Sequence, residues 1–203
     1  MSITLPFSSL KINGFAFNFL NLSAIFFALV ANFLSASALG LLCRIEPENN
    51  IDMILEAFSN VPNVDLILIG NWKNSNYGIE IRKKYEKFPN LKMLDPIYEQ
   101  KTLDELRSNC GLYVHGHSVG GTNPSLVEAM NLGLNIIAFN VDYNIETTES
   151  KAHYFNTSDD IVDFLLSFYS KSLYSNGKDM LEIARRRYKW SIITNKYADV
   201  FLA

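Results

Sequence analysis

The sequence predicts a doubly wound α/β fold, a parallel sheet covered by helices on both faces, preceded by an apolar N-terminal appendage. Three observations carry this. Downstream of Cys43, short runs that are apolar throughout alternate with amphipathic stretches of roughly ten residues, the pattern of buried parallel strands and crossover helices. Gly, Pro and Asn fall between the runs, where the chain must turn. The composition, 48% hydrophobic and 19% charged, supplies a core and excludes a disordered chain. A length of 203 residues suits one domain with an appendage. We divide it into residues 1–38 and 39–203.

The elements follow in order. Leu39 to Ile45 reads as a strand. Asn50 to Phe58 reads as a helix, with Ile51, Ile54, Leu55 and Phe58 on one face. Val64 to Ile69 is a strand that stops at Gly70. Ile79 to Phe88 is a charged helix and Leu91 to Leu94 a short strand. Thr102 with Glu105 has the spacing of a capping box, which predicts a helix from Thr102 to about Asn109. Leu112 to His115 is a strand, Pro124 to Leu132 a helix and Asn135 to Phe139 a strand. Helices cover Asp159 to Tyr169, Asn176 to Lys189 and Trp190 to Leu202. Ligands of such folds bind beyond the carboxyl ends of the strands, where strand order reverses. The segments of interest are therefore 44–50, 70–78, 95–101, 115–123 and 140–150.

The appendage differs in kind. No charged side chain occurs from Ile12 to Cys43, and phenylalanine recurs at positions 15, 17, 19, 26, 27 and 33. Such a run fits a membrane span or a signal peptide, with Lys11 as its flank and Ala36-Ser37-Ala38 as a small-residue cleavage site. It equally fits a packed core segment, or a stretch without a native role in a shortened chain. The net charge of -3 gives no general pull toward nucleic acid. Cys43 and Cys110 sit in or beside apolar runs and read as buried thiols rather than a disulfide framework. No His or Cys lies at a ligand-like spacing from them, so no metal is expected.

The stretch 113-YVHGHSVGGTNPSLVEAM-130 carries the chemistry. Gly116-His117-Ser118-Val119-Gly120 fits the G-x-S-x-G nucleophile elbow, and Asp142 and His153 follow in the order of a serine hydrolase triad. The helix signal argues against that reading. Asn123 suits an N-cap and Pro124 the first helical position, six residues past Ser118. A helix starting at Ser118 would carry Pro124 in its second turn, at a cost of about 3 kcal/mol. Asp142 and His153 also follow too closely to leave room for the intervening strands and helices.

The loop suits an anion better. Gly116, Gly120 and Gly121 allow close approach and positive φ. The N–H groups of Thr122, Ser125 and Leu126 at the helix N-terminus are expected to face it unpaired. The spacing is neither a Walker loop nor G-x-G-x-x-G, and a plain turn is the competing reading. Glu128 stands in an otherwise apolar stretch and needs a partner. Ribose hydroxyls would supply one, and a salt bridge or solvent would supply another.

The segment 118-SVGGTNPSLVEAMNLGLNIIAF-139 resembles the donor-binding segment of retaining glycosyltransferases of family four, usually E-G-F-G-x-x-x-x-E-A-M-A-x-G-x-P-V-I-A. Together with 44-RIEPENN-50 and 147-TTESKAHYF-155 it is most similar to the bacterial rhamnosyltransferase-like branch of surface polysaccharide synthesis. The resemblance runs from about Gly40 to Ala203. It implies a Rossmann-like fold, the C-terminal half of a GT-B architecture. It implies a nucleotide-diphosphate sugar, dTDP-rhamnose or a UDP-sugar, as substrate, no cofactor, and a glycan or lipid-linked acceptor. It places Glu128 at the donor ribose. Arg44, His117, Gly120, Gly121, Thr122 and Asn123 come to the diphosphate and sugar, and Gly70, Asn71, Pro96, Ile97 and Tyr98 to the base. For Arg44 a plain surface charge is the competing reading, and for Tyr98 simple loop packing.

Two departures stand out. The first Glu of the family's E-x7-E pair falls on Gly120, and the lysine that follows the arginine falls on Asn49. The sugar contact is left unassigned, and no catalytic residue is assigned. His115 reads as a satisfied structural histidine, and His117 stays open between a structural and a donor-contacting role. An acceptor-binding half of comparable size is expected as a partner, because excluding water from the cleft needs both walls. The chain alone is expected not to turn over. A cytoplasmic location is expected, with the inner face of the membrane left open as its site. The alternatives are a non-catalytic nucleotide-binding or membrane-tethered remnant and, last, the hydrolase.

Overall fold

In the computed structural model, which describes residues 37–42, 44–169 and 175–202, one parallel sheet organises the chain. Among the described residues its strands are β1 (Ser37–Leu42), β2 (Asp65–Ile69), β3 (Leu91–Leu94), β4 (Leu112–His115), β5 (Asn135–Phe139) and β6 (His153–Phe155). Their spatial order is β3-β2-β1-β4-β5-β6, and every pairing is parallel. The chain winds outward from β1 to β3, then returns to β4 beside β1 and winds the other way. The order therefore reverses between β1 and β4. This is the doubly wound, Rossmann-like arrangement that the alternating runs predict.

The helices are α1 (Ile51–Ser59), α2 (Asn76–Tyr85), α3 (Gln100–Ser108), α4 (Pro124–Asn131), α5 (Asp142–Thr147), α6 (Ser158–Tyr169), α7 (Gly177–Arg187) and α8 (Trp190–Leu202). Side chains alternate across each strand, so a single strand feeds two cores. Leu66, Leu68, Leu112, Val114 and Ile137 join Ile54, Leu55 and Phe58 of α1 and Ile161 and Leu165 of α6 in one cluster. All four apolar residues read onto one face of α1 are fully buried. On the other face α4 packs against α7, with Leu126, Met130, Met180 and Ile183 buried. Asn176 clamps α7 to the sheet: its amide donates to the carbonyl of Ile136 at 2.9 Å and its Oδ1 accepts from the N–H of Ile136 at 2.8 Å.

Several elements differ from the sequence reading. The first strand is Ser37–Leu42 and not Leu39 to Ile45, and Pro47–Asn49 in the segment after it forms a turn of 3-10 helix. Ser75 caps α2 by accepting from the N–H of Gly78, so that helix starts before Ile79. The capping box fails. The N-cap of α3 is Glu99, and the Thr102 hydroxyl lies inside the first turn, donating to the Glu99 carboxylate. Two short elements, α5 and β6, replace what reads as loop. Between them Glu149 and Ser150 both take positive φ, which turns the chain back toward the sheet edge.

Cys110 is buried, its thiol donating to the carbonyl of Leu106, and burial pushes its pKa up to about 12. Cys43 and residues 1–36, with their membrane-span and signal readings, lie outside the described residues. Among the described residues no helix is long and apolar enough to cross a membrane. Helix α8 exposes Trp190, Tyr197, Val200 and Phe201.

Candidate functional site

The segments that follow β1 and β4 are stitched together where the strand order reverses. Asn50, in the left-handed region at φ 50°, precedes α1 and donates its amide to the carbonyl of Gly116 at 2.8 Å. Both the N–H and the hydroxyl of Ser118 donate to the carbonyl of Glu48, at 2.9 and 2.8 Å. Gly116 is required by proximity, because a Cβ there would stand 2.2 Å from the carbonyl oxygen of Asn49. The buried Asn49 completes the seam. Its amide donates to the carbonyl of Arg44 at 2.7 Å, and its Oδ1 faces His117 Nδ1 at 2.8 Å. A carbonyl can only accept, so the Arg44 bond fixes which way the Asn49 amide points.

From this seam the loop opens toward α4. Gly120 takes φ 121°, a conformation that glycine alone adopts without strain, and Gly121 has no neighbour near the position of a Cβ. Gly116 and Gly121 do not take positive φ; the first is required by space and the second is open. The helix begins where Asn123-Pro124 predicts. Asn123 is extended, Pro124 occupies the first position, and Asn123 Oδ1 accepts from the N–H of Ser125 at 3.0 Å. That bond removes Ser125 from the N–H groups expected to be unpaired. Thr122 is exposed, its hydroxyl 3.1 Å from that of Thr147. The Ser118 hydroxyl is committed to the Glu48 carbonyl in this arrangement.

Helix α5 supports the seam from below, and nothing periodic in the sequence announces it. Tyr143 and Asn144 donate to the carbonyl of His117 at 3.2 and 3.0 Å, and Asn144 also donates to the carbonyl of Phe139. His117 is partly buried, and burial lowers its pKa; Arg44 adds to the depression while Glu48 opposes it. His115 is fully buried, and burial, reinforced by His117, pulls it down to about 3. Neither of its ring nitrogens has a hydrogen-bond partner among the described residues, so it is a structural histidine but not a satisfied one.

The remaining candidates border the same end of the sheet. Arg44 is exposed immediately before the seam. Gly70 ends β2, and its N–H donates to the carbonyl of Leu94 at 3.1 Å; Asn71 beside it is exposed. The buried Trp72, which sequence reasoning did not single out, donates its indole N–H to the same carbonyl at 2.8 Å and so ties the loop after β2 to the end of β3. Pro96 and Ile97 are half-buried and Tyr98 is 89% exposed, which excludes a loop-packing role for the Tyr98 ring. Glu128, in the second turn of α4, pairs with Arg107 of α3, Nη2 to Oε2, at 2.5 Å. Arg107 is buried while Glu128 keeps 50% of its side chain in solvent. Among the described residues no group of three or more His, Cys, Asp or Glu could hold a metal ion.

Known proteins share this architecture. The chain is similar to sucrose-phosphate synthase from Thermosynechococcus elongatus, with a TM-score of 0.72 at 16% identity, over 86% of this chain and 46% of that one. It is similar to Anabaena HepE in complex with UDP-glucose, with a TM-score of 0.73 at 16% identity, over 86% of this chain and 51% of that one. A third match is the C-terminal domain of a glycosyl transferase group 1 family protein, LpcC, from Francisella tularensis. There the TM-score is 0.64 at 17% identity, over 76% of this chain and 87% of that domain. The fold is thus that of GT-B C-terminal domains, and the chain spans about half the length of the first two structures. A search of curated protein sequences returned no match. The sequence profile described as "Glycosyl transferases group 1" matches residues 39–176, well over half of the 203 residues. The chain belongs to that family.

Proposed function

We propose that this chain is the donor-binding half of a retaining glycosyltransferase of family four, in the rhamnosyltransferase-like branch of bacterial polysaccharide synthesis. Its ligand is a nucleotide-diphosphate sugar, dTDP-rhamnose or a UDP-sugar, and it uses no cofactor. The observation that carries this reading is the seam at the β1/β4 switch point, from which a glycine loop leads into the N-terminus of α4. That geometry brings backbone N–H groups and a helix dipole to a place where an anionic ligand belongs. A solved neighbour with this fold holds UDP-glucose, which supports the ligand class.

In the reaction, the bond between the anomeric carbon and the diphosphate breaks, the acceptor hydroxyl oxygen takes the sugar, and its proton leaves with the departing diphosphate. The chain's contribution is to bind the donor and to stabilise the departing diphosphate with Arg44 and the N–H groups around Gly120, Gly121 and Thr122. Glu128 holds the ribose through the oxygen that Arg107 does not engage. Asn123 orders the loop against α4. Gly70, Asn71, Pro96, Ile97 and Tyr98 border the base. Transfer to a glycan or lipid-linked acceptor takes place against an opposing half. The apolar side chains exposed on α8 offer such a half a place to pack.

Calorimetric titration of the full chain with UDP, UDP-glucose, dTDP and dTDP-rhamnose tests the reading. Saturable binding of at least one nucleotide, weakened by Glu128→Ala, is the expected result. Absence of binding to all four would refute the donor-site reading, and unchanged affinity in Glu128→Ala would refute the ribose contact. Sugar transfer by the isolated chain would refute the need for a second half.

A further inference from the structure

We infer that His117 is held as an imidazole with its proton on Nδ1, and that its Nε2 lone pair over Gly120 reads a hydroxyl of the donor sugar. This rests on the donor-site reading above and names the residue that contacts the sugar.

Asn49 fixes the proton on the His117 ring. Its Nδ2 must point at the Arg44 carbonyl, which can only accept, so its Oδ1 points at His117. An amide oxygen also only accepts. His117 Nδ1 must therefore carry a hydrogen and donate it across the 2.8 Å contact. The assignment comes from the hydrogen-bond network and not from the ring alone. In a neutral ring the proton on Nδ1 leaves Nε2 as a bare acceptor. Neutrality follows from the surroundings. The ring is partly buried, and the groups that face it are Arg44 and Glu48 from the loop after β1, His115 from β4 and Tyr143 from α5. Of these, Glu48 alone favours the imidazolium, and burial with Arg44 outweighs it.

The acceptor points somewhere useful. A Cβ placed on Gly120 would meet one atom within 4 Å, His117 Nε2 at 3.4 Å. The space over Gly120 is otherwise open, and Gly120 is where the resembled segment carries a glutamate. His117 Nε2 thus borders the backbone of the glycine loop at Gly120. Its partner must be a donor. A diphosphate oxygen would meet the neutral ring lone pair to lone pair, so a hydroxyl donor is the partner that suits it. The hydroxyl donors of a nucleotide-diphosphate sugar sit on the sugar and on the ribose, and comparing the nucleotide with its sugar conjugate separates the two. Tyr143 and Asn144 bond the His117 backbone carbonyl and leave the ring free for this role.

Nitrogen-15 spectroscopy of the imidazoles in the full chain at neutral pH provides the first readout. A proton on Nδ1 and none on Nε2 is expected, and a proton on Nε2 would overturn the proposal. Adding UDP-glucose or dTDP-rhamnose should shift the Nε2 resonance while UDP or dTDP leaves it in place; equal shifts with both, or none with either, would overturn it. Calorimetry supplies the second. His117→Phe should weaken the sugar nucleotide roughly fivefold to tenfold more than the nucleoside diphosphate, as one lost neutral hydrogen bond to the sugar requires. His117→Gln, whose amide oxygen reaches about as far as Nε2, should restore most of the difference. Equal weakening of both ligands would make His117 a diphosphate or ribose contact and sink the proposal alone. A wild-type chain that binds neither class would sink the donor-site reading first and this proposal with it.

Discussion

Arg107 and Glu128 form an ion pair between α3 and α4 in which the arginine is buried and the glutamate is half in water. The pair answers the question of what holds a carboxylate in an apolar stretch, and it uses one of the two carboxylate oxygens. Glu128→Ala should therefore act twice. It removes the proposed ribose contact, and it leaves a buried guanidinium with Asp104 at 3.6 Å as its remaining acid. Because Glu128 is half exposed, the stability loss should be about 1–2 kcal/mol, below the 3–5 kcal/mol typical of a fully buried pair. Arg107→Met should keep the carboxylate but free its orientation, weakening nucleotide binding by about 1 kcal/mol, roughly fivefold. Urea unfolding and calorimetry separate the two effects.

Gly116 and Gly121 should respond oppositely to alanine. At Gly116 the added methyl collides with the Asn49 backbone and approaches Ile54 Cδ1 within 2.7 Å, so the seam must open. We expect a loss of about 1–3 kcal/mol of stability and loss of nucleotide binding. At Gly121 nothing lies nearby and φ is not positive. Gly121→Ala should hold or raise stability by about 0.4–1 kcal/mol. It should still weaken binding if a ligand approaches that backbone closely. Tight binding by Gly121→Ala would remove Gly121 from the site.

Acid should destabilise the fold through His115. Its folded pKa lies at about 3, against 6.5 for the free side chain. Below pH 6.5 the unfolded chain binds a proton that the folded chain refuses, so stability falls as the pH drops from 6.5 toward 3. The slope approaches about 1.4 kcal/mol per pH unit. His117, lowered in the same direction, adds to it. Comparing unfolding at pH 6.5 and pH 5 should show a smaller loss in His115→Leu than in the wild type, and equal losses would contradict the assignment.

Ser118→Ala distinguishes a structural hydroxyl from a nucleophile. Losing its bond to the Glu48 carbonyl should cost about 0.5–1.5 kcal/mol, while the N–H of residue 118 still holds the seam. Nucleotide affinity should be unchanged. An ester-hydrolysing activity that disappears with the hydroxyl would reverse this assignment.

What could be read in the chain beforehand follows the range of the forces involved. Strands β2, β4 and β5 were legible because burial on both faces makes them apolar but for Asp65, His115 and Asn135 at their ends. The start of α4 was legible because a cap acts over two or three residues, and Asn123-Pro124 states it locally. Helix α5 and strand β6 were not, since six and three residues give too few turns of a period to detect. The capping box at Thr102 misled because its spacing is local while the true start at Glu99 has no side-chain cap to signal it. The candidates Arg44, Gly120 and Glu128 were legible as residue types in a pattern. Their partners were not: Asn49 meets His117 across 68 residues and Arg107 meets Glu128 across 21. Such pairs exist only once the sheet has brought their segments together.

The seam between Glu48, Asn49, Asn50 and the 116–118 turn also bears on how this scaffold can be altered. Its contacts run in both directions, from side chain to opposing backbone and from backbone to opposing backbone, with a glycine at the closest approach. Neither strand end can be exchanged alone. A graft of the 116–118 turn into a related sheet would arrive without the carbonyls and amides that shape it, and a methyl at position 116 would shut it out. The two segments form one heritable part, and chimeras that divide them should fold poorly while those that move both together should keep the seam intact.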